Sequence, residues 1–152
     1  MMRVWGCLLP LLACACFWWG GQSGNRELVE DREILEFADT IGAFYSRLHN
    51  TRLDSLETYE DAELRTFFVD DREFSDYYAS LAAQVRAAGF RRSRAEQVRI
   101  REFRFEGDDR ALVDITLVGR HRRALRFWRI EIQRSDVWRR SAGTWALSPS
   151  KL

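Results

Sequence analysis

Apolar residues recur at helical spacing through the first half of the chain and at strand spacing through the second. From about Glu27 to His49, Ile34, Ala38, Ile41, Tyr45 and Leu48 follow a 3.6-residue period, which predicts a long amphipathic helix. Asn50-Thr51 breaks it. Leu53, Leu56 and Tyr59 predict a second, short helix. Asp61 to Val69 fits helix and turn equally, with Leu64, Phe67 and Phe68 expected to be buried. Asp70-Asp71-Arg72-Glu73 then reads as an N-cap with a carboxylate three residues on. Phe74, Tyr77, Tyr78, Leu81, Ala82, Val85 and Ala88 continue the pattern as the cleanest amphipathic helix of the chain. Gly89 follows as its C′ residue.

After Gly89 the period changes to two. A strand from about Glu96 to Phe105 has Val98 and Ile100 on one parity and Phe103 and Phe105 on the other. That switch predicts a β-bulge near Arg101-Glu102. Gly107-Asp108-Asp109 reads as a hairpin turn. The next strand, Ala111 to Val118, carries Val113, Ile115 and Leu117 inward. The third carries Trp128, Ile130 and Ile132 inward and Arg129, Glu131 and Gln133 outward. Ser135-Asp136 reads as a turn. Val137 to Leu147 forms either the last strand or a tight hairpin about Ala142-Gly143, and Pro149 closes the sheet.

Helices followed by a four-stranded antiparallel meander predict an α+β domain. With its long first helix, its aromatic helix ending at Gly89 and its ending Trp138-Arg139-Arg140-Ser141-Ala142-Gly143-Thr144-Trp145-Ala146-Leu147, the chain resembles the nuclear-transport-factor-2-like (cystatin-like, polyketide-cyclase-like) superfamily. The likeness covers most of Glu27 to Pro149. It implies a curved sheet wrapped on the first helix as a cone. That superfamily holds isomerases, dehydratases, cyclases and many non-catalytic modules, so the fold leaves function open.

The N-terminus carries a different signal. Met1-Met2-Arg3 precedes an apolar run, and Leu11-Leu12-Ala13-Cys14 ends it with a small residue before a cysteine. This resembles a bacterial lipoprotein signal, which implies acylation of Cys14, with Cys16 as the alternative site. Ala15 in place of aspartate after Cys14 implies the outer membrane in a two-membrane bacterium. An uncleaved anchor and plain secretion are the alternatives. The run from Val4 to Trp19 is about 24 Å long as a helix, shorter than the roughly 20 residues a span needs, although Trp18-Trp19 would suit a membrane interface. The expected organisation is residues 1–13 as signal peptide, 14–26 as lipidated cysteine and flexible tether, and 27–149 as the α+β domain.

Composition adds two constraints. All three cysteines, Cys7, Cys14 and Cys16, lie in the N-terminal segment, so the domain has neither an internal disulfide nor a thiol nucleophile. The near-neutral total charge hides a split. Residues 26–76 hold 15 acidic and 6 basic side chains, net −9; residues 77–152 hold 8 and 17, net +9. The split suits a basic face for an acidic partner or anionic headgroups. Its plainer reading is an acidic helical half packed beside a basic sheet half. Nucleic acid is not expected as a partner of an exported protein.

Catalytic motifs are wanting. No Gly-x-Ser-x-Gly, phosphate loop or dinucleotide fingerprint is present. Two distant histidines give no metal signature, and no cofactor is expected. Ile41, Tyr45, His49, Tyr77, Trp128 and Trp145 are the expected pocket-lining residues. Tyr45, His49, Tyr77 and Tyr78 are the polar aromatics expected to look inward, Tyr45 and His49 are the first candidates for acid or base chemistry among them, and no catalytic residue is assigned. Asp114 falls on the outward parity. The sequence predicts no carboxylate or histidine buried in the cone beside a second acid or base. The expected function is a membrane-anchored, exported lipoprotein whose domain binds an unidentified protein or small apolar ligand without catalysis. A small cone-pocket enzyme of isomerase or dehydratase type, and an accessory subunit of an envelope complex, are the alternatives.

Overall fold

A computed structural model describes residues 23–123 and 128–149, with side chains from residue 31 onward. The signal segment, with Cys14 and Cys16, lies outside the described residues. The fold is α+β: helices first, then an open four-stranded antiparallel sheet in the order β1-β2-β3-β4. Helix α1 spans Ser23–Leu48, so it takes in the end of the segment expected as a tether. Its buried stripe is Phe37, Ile41, Phe44, Tyr45 and Leu48. Ile34 has the right phase but precedes Phe37, where the core ends, and it is 40% exposed.

The ambiguous segment after α1 resolves into two single turns, α2 (Leu56–Tyr59) and α3 (Ala62–Arg65). Each is capped by a side-chain oxygen, from Ser55 and Asp61 respectively. Leu53, Leu64 and Phe68 are buried there, whereas Leu56 is exposed. Helix α4 spans Asp71–Ala87. The Asp70 carboxylate accepts from Glu73 N at 2.7 Å, as the sequence predicts. The reciprocal half of a capping box is not made, and Glu73 Oε2 is buried without a hydrogen-bond partner. Phe74, Tyr77, Leu81, Ala82 and Val85 form its buried face, and Gly89 follows with φ of 78°.

Strand β1 (Gln97–Phe105) pairs with β2 (Arg110–Arg120), and the register shifts between Ile100 and Glu102. The bulge thus inserts Arg101 and brings Val98, Ile100, Phe103 and Phe105 onto one face. Strand β3 runs unbroken from Arg129 to Ser141, through the expected turn at Ser135-Asp136. A two-residue turn, Ala142 (φ 51°) and Gly143 (φ 84°), leads into β4 (Thr144–Ser148). Positive φ at both positions is what the type I′ hairpin turn requires.

The core lies between the inner face of the sheet and helices α1 and α4. Val113, Ile115, Leu117, Trp138 and Leu147 meet the helical stripes there. Ile130 and Ile132 are half-buried against the same cluster, but Trp128, expected inward, is 69% exposed. It precedes the first residue of β3, where no described element covers it. Leu81 is 1% exposed within this cluster. Leu81→Ala is expected to cost about 2–5 kcal/mol, measured by urea unfolding. A loss under about 0.5 kcal/mol, the range of surface changes, would place Leu81 outside the core.

Candidate functional site

Three elements bring their polar groups to one point in the core. Tyr45 comes from α1, Tyr77 from α4, and Arg134, Asp136 and Trp138 from alternate positions of β3. Because side chains alternate along a strand, these last three share the inner face. Asp136 is 2% exposed. Its Oδ2 accepts from Tyr45 Oη at 2.8 Å and from Tyr77 Oη at 2.9 Å. Its Oδ1 accepts from Arg134 Nε at 2.5 Å, the other partner of a buried ion pair. Arg134 Nη1 donates to Gln84 Oε1 at 3.3 Å, and the guanidinium lies 4.4 Å from the centre of the Tyr77 ring. Trp138 Nε1 donates weakly to Tyr45 Oη at 3.4 Å.

The electrostatics follow from burial. Desolvation holds the Tyr45 phenol well above its usual pKa, and the Asp136 charge adds to this. Tyr77 is raised in the same way, by burial first and Asp136 second, with Arg134 pulling the other way. For Arg134 desolvation works against the cation, but Tyr77 and Asp136 outweigh it and its pKa is raised. Both phenols are therefore protonated donors at neutral pH, and the guanidinium is charged. The carboxylate accepts three charge-assisted bonds, the strong class of protein hydrogen bond. Its side chain is 1% exposed and that of Arg134 7%. The arrangement ties α1 and α4 to the middle of β3.

This cluster overturns one expectation from the sequence. Asp136 is a carboxylate buried beside two acids, where none was expected. The Ser135-Asp136 pair resembles turn chemistry, and that resemblance hid it. The signal that could have found it is parity: continued past Ile130 and Ile132, the inward set becomes Arg134, Asp136 and Trp138.

The expected pocket residues are not gathered together. Tyr45 and His49 line one open depression of about 400 Å³ between α1 and β1, with Gly42, Ser46, Val98 and Ile100. Ile41 is sealed in the core, and Tyr77 belongs to the Asp136 cluster. Trp145 is half-buried on the Phe37 ring at 4.7 Å, and Trp128 stands at the surface. Asp114 lies on the outer face of the sheet. There it accepts from Ser135 and, at 3.0 Å, from Arg104, and these two lower its pKa in that order. It lines a second, polar depression of about 530 Å³ with Arg101, Glu102, Thr116, Gln133 and Ser135. Among the described residues, no group of three or more His, Cys, Asp or Glu side chains converges as a metal site would need.

Compared with known proteins, the chain matches no family, no curated protein and no solved structure.

Proposed function

We propose that the chain is a membrane-tethered lipoprotein whose α+β domain, cystatin-like in form, binds a partner or small apolar ligand without catalysis. The state of the Asp136 cluster carries this reading. Its carboxylate is the buried carboxyl of the described core, both of its oxygens are taken up, and the two buried phenols beside it, Tyr45 and Tyr77, are spent as its donors. A catalytic group has to reach the proton it moves, and Asp136 is enclosed by its own partners. The depression between α1 and β1 offers Val98, Ile100 and the Tyr45 ring as an apolar floor, with His49 and Ser46 supplying polar atoms. Pockets for small ligands commonly combine such walls with a few polar groups. The tether rests on Leu11-Leu12-Ala13-Cys14. No helix among the described residues is long and apolar enough to cross a membrane, so under this proposal attachment belongs to the N-terminal segment. The proposed location is the bacterial envelope, at the outer membrane where there are two.

Acyl labelling tests the tether. Wild-type protein is expected to take up labelled palmitate and to partition into detergent. Cys14→Ser is expected to abolish both, because it removes the cysteine that carries the acyl chains and leaves no lipid to hold the chain in the detergent phase. Loss in Cys16→Ser instead would move the site to Cys16, and retention in the double variant would end the lipoprotein reading.

A cone-pocket enzyme is the second reading, and Tyr45 favours it. The residue borders the open depression and also donates to a buried carboxylate. Turnover of any isomerase or dehydratase substrate that vanished in Tyr45→Phe, with folding intact, would reverse the order of the two readings.

A further inference from the structure

The excess positive charge of the second half is not spread evenly over the sheet. Arg99, Arg104, Arg110, Arg134 and Arg140 each meet a carboxylate. Arg86, Arg91, Arg92, Arg101, Arg122, Arg123, Arg129 and Arg139 are exposed and meet none among the described residues, and five of them, Arg91, Arg92, Arg122, Arg123 and Arg129, cluster. These five share one end of the molecule. The turn Arg91–Ser93 follows α4 there, beside the neck of the β2–β3 hairpin. Arg122 N donates to Gly89 O at 2.8 Å, Phe90 bridges His121, and Arg120 pairs in register with Arg129. A Cβ at Gly119 would lie 2.5 Å from the Phe90 ring, so the two segments are closely packed. The acidic group on these segments, Glu96, is engaged by Arg120 at 2.8 Å. Beside the arginines stands Trp128, 69% exposed, its carbonyl accepting from His121 N at 3.2 Å.

We propose that this arginine-rich, Trp128-bearing end is a docking surface for anionic lipid headgroups. Cations near an anionic leaflet are attracted within a Debye length of it, and an indole suits the headgroup level, where its apolar ring and polar N–H are both accommodated. Four of these arginines stand on two turns and Arg129 opens β3, none of them along either described depression. A lipid surface needs no groove, whereas a single-stranded polyanion is held in one that tracks its backbone.

Chain length makes the proposal geometric, a step that rests on the tether reading. The basic end adjoins the C-terminus of α1, where Asn50 N donates to Ala95 O at 2.8 Å and Arg94 Nε to Asn50 O at 3.0 Å. The 26 residues of α1 place Ser23 about 39 Å away. Residues 15–22 can span at most about 29 Å. Anchor and basic end therefore reach one bilayer when α1 is inclined by less than about 50° to it. The domain would then lie along the membrane on a lipid and a basic patch, the two-signal form of stable anchoring.

The test uses the full acylated chain in vesicles containing a nitroxide-headgroup lipid. The quenching lost on Trp128→Phe isolates that indole. It is expected in vesicles with about a third phosphatidylglycerol, absent in pure phosphatidylcholine, and removed by high salt. Arg122→Gln with Arg123→Gln is expected to lower the docked-to-free ratio by roughly 30-fold, a factor of about five for each charge. Trp128 and both arginines are exposed, so folding, followed by circular dichroism, is expected to be unchanged. Trp128 unquenched on anionic vesicles, or quenched equally on neutral ones, would overturn the proposal. Binding of soluble polyphosphate without quenching by anionic vesicles would overturn it in favour of a soluble polyanion. Failure of the chain to float with neutral vesicles counts against the tether alone, because docking on anionic vesicles is read separately.

Discussion

Asp136→Ala is expected to destabilise the domain by about 3–5 kcal/mol, the cost of leaving one member of a buried ion pair without its partner. Arg134 would then keep a charge whose side chain is 7% exposed. The Tyr45 and Tyr77 hydroxyls, which meet at Asp136 Oδ2, would lose their acceptor. Removing the whole cluster should be much milder, since apolar groups of similar size can replace a buried pair without loss. The informative comparison is therefore Asp136→Ala against Arg134→Met combined with Asp136→Leu, Tyr45→Phe and Tyr77→Phe. Urea midpoints at a constant denaturant slope would measure both. The single variant should lie well below the multiple one. If Asp136→Ala lost under about 1 kcal/mol, the carboxylate would not be the buried tie described above, and the argument against a catalytic role would lose its basis. An equal loss in both variants would mean that packing rather than charge sets the cost.

The sequence made the helices and the sheet order legible because each repeats a period over many residues. Seven apolar positions fix the phase of α4, and the parity switch at Arg101-Glu102 is enough to locate the bulge. The misjudged places lack such repetition. Ser135-Asp136 is a short polar pair whose turn propensity opposes the strand, and the tertiary partners Tyr45, Tyr77 and Arg134 decide the contest. Arg134 is two residues away, but the phenols that complete the cluster lie 91 and 59 residues away, so a local window holds only part of the reason for the burial of Asp136. Trp128 fails differently. Its parity matches Ile130 and Ile132, but no described element covers it at that end of the sheet. Periodicity assigns a face; whether anything packs on that face is a property of the whole fold. The same limit separates Tyr45 from His49. Tyr45 lies on the buried stripe of α1 and His49, one turn on, just past the helix end, so the first reaches the core and the second lies at the rim.

Raising the pH is expected to unfold the domain from about pH 10, the ordinary tyrosine pKa, and the two core phenols set the sign. In the folded protein Tyr45 and Tyr77 titrate well above that value, because burial and then the Asp136 charge oppose a phenolate. In the unfolded chain they ionise near the ordinary value. Below it both states hold these protons and the contribution to stability is complete. Above it the unfolded chain has released them while the folded one retains them. Stability then falls with pH until the folded pKa is reached, by about 1.4 kcal/mol per pH unit for each tyrosine. Urea unfolding across the alkaline range should show this slope. Tyr77→Phe should remove one share of it and Tyr45→Phe the other, relative to each variant's own neutral stability. Phenolate absorbance gives an independent measure, with Tyr45 and Tyr77 ionising only as the fold is lost. Full ionisation of all four tyrosines near pH 10 in a still-folded protein would show that solvent reaches Asp136. That result would return the cluster to the list of groups able to act on a substrate, because an accessible phenol beside a carboxylate can exchange a proton and a sealed one only donates.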